Sequence, residues 1–419
     1  MMTFQIALRN VFRHRTRSLI TMAAIAFGCT AIIFVGGFFE DILYKMQESY
    51  IKAHTGHLQI YTRGFFEQGS AKPFKYLITN PNELTPLISQ IDGVAYVTTR
   101  LQFAALLSTG DNTIACVAQG IEPAHEHTVP VGTRLRGHKD RVLAGSVMEA
   151  GQPLAPNEPY SAILGKGLAS GIGAKPGDGL ILVAHTIGGS INALDVTVKG
   201  IFFTSSKEFD DYALRLPLST AQQLLQTESV QTLVVMLHDT RETPRVKAAL
   251  VQLFRERHLD LDVKSWDELS DFYVKSRTFF HQMFAILKLV VALIVILSIY
   301  NTMNMAVLER TKEIGTMMAM GTKPRGVVQL FLYEGAALGF LGGIIGVAGG
   351  GLITLLVSRI GIPMPPPPGA TMVWTSEPRV VPSVLLYAFG LSLVTALISS
   401  WYPAYRASRL EIAEALRHT

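Results

Sequence analysis

The sequence predicts an α-helical membrane protein with four transmembrane helices plus a large mixed α+β extracytoplasmic domain between helices 1 and 2. Three observations predict this class. The 419-residue chain is 49% hydrophobic and only 16% charged, whereas an ordinary globular protein carries about 25% charged residues. Its apolar residues concentrate in four long runs. Its charged residues concentrate in one long stretch after the first run and in short basic segments that flank the runs.

The first apolar run predicts transmembrane helix 1 at residues 18–39. It has 22 residues without a formal charge, and a helix of that length covers about 33 Å, enough to cross the core of a bilayer. Residues 1–17, which we expect to be a cytoplasmic amphipathic segment, carry four arginines. A cleavable signal peptide is the alternative, but the run is too long for a signal-peptide core and no clear cleavage site follows it. We therefore interpret the run as a retained anchor.

Three further apolar runs predict the other transmembrane helices. In chain order the elements are helix 2 at 279–307, a cytoplasmic helix at 308–326, helix 3 at 327–357, a Pro-rich outer loop at 358–381, helix 4 at 382–400 and a tail at 401–419. The N-terminal segment, the cytoplasmic helix and the tail each carry three or four Lys or Arg. Because basic loops stay inside, both termini are expected in the cytoplasm.

The stretch 40–278 differs in charge from the rest of the chain. It holds 23 Lys and Arg against 26 Asp and Glu, and the remaining residues hold 14 against 6. The basic excess lies beside the apolar runs, so membrane topology explains it better than a nucleic-acid partner does. We therefore expect residues 40–278 outside the membrane and no nucleic acid bound.

Within that stretch, residues 40–55 and 265–281 continue the neighbouring helices outward as amphipathic stalks. Between them, segments bounded by Gly, Asp, Asn and Pro have the composition of strands, and two segments have apolar residues at helical spacing. The predicted strands are HLQIY, LQFAALLS, TIACVAQGI, GLILVAH, ALDVTVKGIFF and TLVVMLH, and the predicted helices are LSTAQQLLQ and TPRVKAALVQLFRERH. This mixture predicts an α+β domain.

The third apolar run is rich in glycine at intervals of four residues. One row contains Gly335, Gly339 and Gly343, and a second contains Gly342, Gly346 and Gly350. Such faces let helix backbones approach closely in a bilayer. They are explained either by packing within this bundle or by a dimer seam or sliding surface.

Two ionisable residues fall in or near the apolar runs, and such residues are functional candidates because charge is costly in hydrocarbon. Lys288 lies within reach of the outer interface, where its ammonium can extend to water. Glu334 lies about two turns from the cytoplasmic end. A structural role is therefore the simpler interpretation for both residues.

The sequence contains no pattern for catalysis of its own. It lacks a G-x-x-x-x-G-K-[ST] nucleotide loop, a G-x-S-x-G elbow and an H-E-x-x-H zinc helix. His125, Glu126 and His127 form the tightest group of potential metal ligands. His125 and His127 share one side of an extended segment, but no third ligand for these two histidines is apparent, so we do not expect a metal. Cys29 and Cys116 belong to different parts of the chain, so no disulfide between them is expected. We expect no cofactor in this chain and an energy source in a partner.

Three segments resemble the permease family that includes MacB, FtsX, LolC and LolE. They are ALRNVFRHRTRSLITMAAIAFG, ERTKEIGTMMAMGTKPRGVVQLFLYEGAALGFLGGIIGVAGG and YPAYRASRLEIAEALR. GIEP, AILGKGLASGIGAKPGD and VTVKGIF in the outer domain are similar too, so the resemblance spans nearly the whole chain. It implies a multi-pass protein of the bacterial inner membrane that pairs with a second permease copy or a paralogue.

The resemblance also implies a separate cytoplasmic ATPase subunit, which binds ATP and Mg²⁺, and a coupling helix that docks on it. The family's coupling helix matches residues 309–325 here. The residues that we expect at this contact are Glu309, Lys312, Glu313, Ile314, Met317, Met318 and Gly321, with Met320 on the same apolar side. Methionine suits such a contact because its flexible side chain adapts to a groove. An interfacial helix lying among lipid headgroups is the alternative.

Three tasks are compatible with the resemblance. The leading one is release of lipoproteins from the inner membrane, with lipoprotein cargo and a periplasmic carrier as partners. The others are MacB-like tripartite efflux of amphiphiles or peptides, with an adaptor, and FtsX-like mechanical signalling without transport. One departure bears on the first. LolC has a long Pro-rich hook that captures the carrier, whereas the matching place here, HTIGGSINALD, is a short turn.

Overall fold

We describe the fold from a computed structural model of the chain. The structure describes residues 15–412 except 70–71, 127, 130–145, 205 and 366–373, together with residues 7, 9–11, 13 and 415. It divides into two compact units. The helical bundle comprises Met1–Leu43, Ser276–Ile362 and Ser376–Thr419, and the sheet domain comprises Tyr44–Lys275 and Pro363–Thr375.

The helices are numbered in chain order. They are α1 Arg15–Tyr50, α2 Phe65–Gln68, α3 Pro81–Ser89, α4 Lys166–Ile172, α5 Lys207–Asp210, α6 Leu218–Leu225, α7 Thr243–Glu256, α8 Asp271–Glu309, α9 Thr311–Ala319, α10 Pro324–Ile360 and α11 Pro382–Ala407. Four of them, α1, α8, α10 and α11, are long and apolar enough to cross a membrane. They match the four runs predicted from the sequence.

The bundle core lies where these four helices meet. Ile25 and Ile32 of α1, Ile299 of α8, Phe331 of α10 and Ala396 of α11 are each no more than 2% exposed, and they belong to one apolar cluster. Large apolar side chains on the remaining faces stay exposed, most extensively along α8. Helices of globular proteins expose polar side chains, so exposed apolar faces are typical of helices that are surrounded by lipid.

The strands are also numbered in chain order. They are β1 Leu58–Thr62, β2 Val94–Ser108, β3 Thr113–Ile121, β4 Thr128–Val129, β5 Ser146–Gly151, β6 Ser161–Gly165, β7 Gly179–His185, β8 Ile191–Phe203, β9 Ala213–Pro217, β10 Thr232–Leu237, β11 Leu261–Ser265, β12 Ile362–Met364 and β13 Trp374–Ser376. All six predicted strands and both predicted helices are present, and short helices and further strands accompany them.

Strands β1 to β11 form one mixed sheet. Its order is β11-β1-β10-β2-β3-β9-β6-β8-β5-β4, and β7 pairs with β2 and β8. Strand β2 shows the period of two clearly from Leu101 to Leu107, because its odd-numbered side chains are buried and its even-numbered ones are exposed. The odd-numbered residues pack with Leu224 of α6 in one core cluster. A second cluster joins β1, β10 and β11 to α3 and α7.

The first and last strands of the sheet domain are neighbours. β1 follows the first apolar helix and β11 precedes the second, and they pair antiparallel from Leu58 opposite Ser265 to Thr62 opposite Leu261. The predicted stalk at 265–281 therefore begins later than expected. Residues 265–270 end β11 and form a turn, and the helix begins at Asp271.

The Pro-rich loop contains the two-stranded sheet of β12 and β13. In the bundle, the carboxylate of Asp41 accepts hydrogen bonds from the Ser376 hydroxyl at 3.3 Å and from the Glu377 N–H at 2.8 Å. Asp41 is only 3% exposed, so these bonds satisfy a buried carboxylate. In the sheet domain, Lys45 donates to the carbonyl of Thr375 at 2.6 Å.

Candidate functional site

The helical bundle has a sharp corner between α8 and α9. Arg310 interrupts the helix with φ −112° and ψ 19°, so the predicted helix at 308–326 is the end of α8, the short helix α9 and the start of α10. The Thr311 hydroxyl donates to the carbonyls of Val307 and Leu308, at 3.0 Å each. These bonds satisfy carbonyls that the end of α8 leaves unpaired.

A buried ion pair holds this corner against α10. The Arg310 guanidinium donates to the Glu334 carboxylate at 2.9 Å, and the amide of Asn10 donates to the same oxygen at 2.6 Å. The side chains of Arg310 and Glu334 are each only 7% exposed. The guanidinium also lies 5.9 Å from the ring centre of Phe331. Glu334 is therefore a structural anchor for the corner, as the sequence suggested.

Two further arginines bind the same corner from the N-terminal segment. Arg17 pairs with Glu309 at 2.6 Å, and Arg13 pairs with Glu313 at 3.1 Å. Arg310 also donates to Glu313 at 3.0 Å. This hydrogen bond, with the nearby positive charges, outweighs partial burial and lowers the pKa of Glu313. Because both outer pairs are partly exposed, each adds only about 0–1 kcal/mol.

Sequence reasoning missed the N-terminal half of this network. Arg13 and Arg17 are four residues apart, and so are Glu309 and Glu313. In a continuous helix, such as the one predicted at 308–326, residues four apart share one face, so the sequence places each pair of like charges side by side. That matched spacing was a usable signal. The positive-inside rule had already accounted for the arginines, and no further role was assigned to them.

The structure separates the residues predicted to contact a partner. Ile314 is 2% exposed and lies within the bundle cluster, and Met318 packs against that cluster. Both hold α9 to the bundle and do not face outward. Lys312 and Thr316 are exposed, and Met320 is 75% exposed. These three residues are four apart, so they form one outward row.

The remaining predicted residues lie around that row. Met317 is half-buried, and Glu309 and Glu313 are exposed on the side that faces the N-terminal arginines. Gly321 has φ +95°, a backbone conformation that glycine adopts without strain. It follows α9 closely, so the chain turns there before α10 begins at Pro324. The firm helix end predicted at Gly321 is therefore present.

Both glycine rows of α10 face other helices of the bundle. A Cβ on Gly339 would lie 2.6 Å from that of Ala396 in α11, and Gly335 and Gly343 likewise meet Ser400 and Ser392. On the other row, a Cβ on Gly346 would lie 2.5 Å from that of Cys29 in α1, and Gly342 and Gly350 meet Ile25 and Thr30. Packing within the bundle therefore accounts for both rows.

Other candidate residues also have structural explanations. Lys288 is half-buried, and its ammonium lies 4.8 Å and 4.7 Å from the ring centres of Phe284 and Tyr387. His125 binds Glu122 at 3.1 Å and stacks on Tyr96. His127 lies outside the described residues. Among the residues that are described, no group of three or more His, Cys, Asp or Glu could hold a metal ion.

The turn between β7 and β8 is short. The Thr186 N–H donates to the carbonyl of Ser190 at 2.8 Å, and the Gly189 N–H donates to that of Thr186 at 3.0 Å. Residues 186–190 thus close a tight hairpin. The short turn predicted for HTIGGSINALD is therefore present.

Two family profiles match most of the chain. The MacB-like periplasmic core domain matches residues 18–253, and the FtsX-like permease C-terminal domain matches residues 285–412. The first covers more than half of the chain by itself. Its match begins at the start of α1 and extends into the sheet domain, and the second match covers most of α8 and all of α9, α10 and α11.

Curated relatives resemble the chain over different lengths. The chain is 26% identical to the lipoprotein-releasing system transmembrane protein LolC of Neisseria meningitidis serogroup B, covering 96% of this chain and 94% of that protein. It is 28% identical to the macrolide export ATP-binding/permease protein MacB of Syntrophobacter fumaroxidans, covering 45% of this chain. The second match spans about a quarter of that relative, 26% of its length.

A solved structure is similar to part of the chain. The periplasmic region of MacB from Actinobacillus actinomycetemcomitans covers 53% of this chain and 94% of its own, at 15% identity and a TM-score of 0.35.

Proposed function

The chain belongs to the MacB/FtsX family of ABC transporter permeases, and from this premise we propose that it releases lipoproteins from the inner membrane. It is a permease subunit with transmembrane helices and a MacB-like outer domain. In the proposal, a separate cytoplasmic ATPase docks on α9, and ATP hydrolysis moves the sheet domain on the other side of the membrane. Both termini are cytoplasmic, as the basic segments favour.

The observation that carries the ATPase-docking part of this proposal is the construction of the α8–α9 corner. A helix that passes force to the bundle needs a rigid attachment and a free outer face. The buried Arg310–Glu334 pair and the buried Ile314 supply the attachment. The row of Lys312, Thr316 and Met320 supplies the free face. We propose that this row contacts the ATPase, with Met320 as its apolar anchor.

The extent of the matches within this chain favours lipoprotein release among the family's tasks. The match to LolC covers 96% of this chain, whereas the match to MacB covers 45% of it. The short β7–β8 turn adds one condition. If a periplasmic carrier receives the cargo, a second permease subunit that has a hook binds the carrier, and this chain is the subunit without a hook.

Efflux in the manner of MacB is the second candidate, because the MacB-like core profile matches residues 18–253. The two candidates require different partners. Lipoprotein release requires a second permease and lipid-anchored cargo. Efflux requires a periplasmic adaptor and an outer-membrane channel.

Affinity purification of the tagged chain in mild detergent, followed by mass spectrometry, tests the proposal. We expect an ATPase together with a second permease or lipoproteins. Recovery of an ATPase with an adaptor and an outer-membrane channel supports efflux instead. If no ATPase co-elutes with the folded chain, the transporter assignment is wrong.

The docking row has its own test in the same purification. Replacing Lys312 and Met320 together by Glu reverses a charge and removes the apolar anchor, so we expect at least a tenfold loss of co-eluting ATPase. The matched control is Arg406→Glu, a charge reversal on another exposed residue of the bundle, which leaves recovery unchanged. Equal ATPase recovery from both variants contradicts docking at this row.

A further inference from the structure

The far end of α1 is buried within the sheet domain. After Tyr50 the helix continues as a π-helical turn, Ile51–Thr55, and the chain then enters β1 through Gly56. Ile51 and Ala53 are each 1% exposed. A helix end that is buried in this way leaves carbonyls that must find partners inside the protein.

Two arginines from the sheet supply those partners. The Arg215 guanidinium, in the middle of β9, donates to the carbonyl of Ala53 at 2.9 Å. The Arg100 guanidinium, in β2, donates to the carbonyl of the next residue, His54. Cations at a helix C-terminus are favourable because the carbonyl end of the helix carries partial negative charge. The last turn of α1 is therefore held by charge-assisted bonds to two different strands.

One carboxylate ties the arginines together. Glu126 pairs with Arg215 at 2.7 Å and lies 4.0 Å from Arg100. Arg215 is 1% exposed, donates to the Ser146 hydroxyl at 3.2 Å, and lies over the ring of Phe202 at 4.8 Å. The buried carboxylate of Asp210 also acts on Arg215, and the partial negative charge of the helix end faces both cations.

This arrangement is expensive for stability alone. Strand β9 reads ALRLP and is buried at all five positions, so an apolar residue in place of Arg215 is the ordinary solution for a core strand. Replacing buried ionic groups by apolar residues of similar volume is often neutral or stabilising. An arginine differs from an apolar residue because its planar guanidinium forms hydrogen bonds only in a fixed geometry. It therefore fixes the orientation of the helix end relative to the strand.

We propose that Arg215, together with Arg100 and Glu126, is the joint through which displacement of α1 moves the sheet. The inference rests on the proposed function and names the residues that pass the movement on. They act as positioning residues: without them the sheet domain stays folded, but it no longer follows the helix.

The test uses the full chain in its complex with the ATPase, reconstituted in lipid nanodiscs. Spin labels at Asp111, an exposed turn residue of the sheet domain, and at Ile360, exposed at the end of α10, report the distance between the two units. The buried native cysteines are replaced by alanine. Distances are measured by pulsed electron paramagnetic resonance without nucleotide and after trapping with ATP and vanadate.

The joint variant is Arg215→Met combined with Glu126→Leu. It removes the buried ion pair and the donor to the Ala53 carbonyl, while Arg100 keeps its bond to the His54 carbonyl. The matched control is Arg241→Met combined with Asp239→Leu, which removes an ion pair whose arginine is 90% exposed. We expect the nucleotide-dependent distance shift to fall at least twofold in the joint variant only. We expect its ATP hydrolysis to stay close to that of the control, and its thermal midpoint to be lower because the buried Ala53 carbonyl loses its donor, with the chain still folded at the temperature of the distance measurement.

The outcomes separate the two proposals. An equal shift in the joint variant and the control overturns the joint and leaves the proposed function intact. No shift in the parent complex overturns the proposed mechanism and the joint with it. If the joint variant does not fold, Arg215→Lys replaces it, because lysine keeps the positive charge but lacks the rigid set of donors of a guanidinium. An intermediate distance shift then supports the joint, and a full shift contradicts it.

Discussion

Arg310 and Glu334 show how a charged residue is tolerated next to the apolar part of a long helix. Neither side chain is exposed beyond 7%, and each meets an opposite charge and a further polar partner. The bond from Asn10 joins residues 324 positions apart in the chain. No sequence pattern reveals such a contact, whereas the unusual position of Glu334 in an apolar run is visible at once.

Replacing Glu334 by Leu removes the buried carboxylate that pairs with Arg310 and leaves that arginine the partly exposed Glu313. Removing one partner of a buried pair costs about 3–5 kcal/mol, so we expect a clearly lower thermal midpoint in detergent. The double replacement of Arg310 and Glu334 by Leu recovers most of that loss, because no charge remains buried. The control is Glu309→Leu, which breaks a partly exposed pair worth about 0–1 kcal/mol. Equal midpoints for the Glu334 and Glu309 variants contradict the anchoring role.

His54 gives the sheet domain a dependence on pH. Burial, and then the charges of Arg215 and Arg100, lower the pKa of His54 from 6.5 to about 3. Between these pH values the unfolded chain binds a proton that the folded chain excludes. The free energy of unfolding therefore falls by about 1.4 kcal/mol for each pH unit below 6.5, from this one group.

Replacing His54 by Phe removes the titrating group and keeps the ring that packs on Phe209. We expect the slope of stability against pH between 6.5 and 4.5 to decrease by about that amount. Urea unfolding followed by the fluorescence of Trp266, with Trp374 and Trp401 replaced by Phe, measures it. Parallel slopes in parent and variant mean that His54 is not held neutral.

At the scale of elements, the glycines of α10 differ in whether another helix packs against them. Gly346 is in contact with α1, whereas a Cβ on Gly351 would meet nothing within 4 Å. Replacing Gly346 by Val inserts volume into a closed contact, which costs about 1–3 kcal/mol. The matched control is Gly351→Val, which we expect to be neutral. Folded yield and thermal midpoint in detergent decide between them, and similar losses in both variants contradict the packing explanation.

The elements predicted best are those with long, uniform signals. Four apolar runs predicted four helices, and strands such as β3 and β7 were predicted with their observed bounds. The shorter strands β6 and β9 were missed. Strand β9 is five residues long with Arg215 at its centre, and a charge in so short a segment removes the apolar signal. The partners that stabilise the buried arginine, among them Glu126 and Ala53, are distant from it in sequence.

Only part of the candidate site was predicted, because local sequence signals were readable and contacts between distant residues were not. The position of α9 and the turn at Gly321 follow from local sequence, so they were predicted. The side of α9 that faces outward is set by the Arg310–Glu334 pair, which holds the corner to α10. These two residues lie before and after α9 in the chain. Ile314 and Met318 were therefore grouped with Met320 as one apolar side, and the structure divides them between the bundle and the exposed surface.

At the scale of the whole molecule, the sheet domain is an insertion in the bundle. Its entering and leaving strands, β1 and β11, pair with each other, and its apolar clusters are made from its own residues. We expect residues 44–275 expressed alone to fold cooperatively, because a separate core is what defines an independent domain. Circular dichroism during thermal unfolding tests this. A broad transition without cooperativity means that the bundle is required.

The contact between Gly346 and Cys29 sets an order of assembly during synthesis. These residues are more than 300 positions apart, and chains are made at about 5–20 residues per second. The first transmembrane helix therefore waits at least about 15 seconds in the lipid before the partner for that face exists. Residues 44–275, the larger part of the sheet domain, are made before Gly346, so they fold first and the bundle closes after them.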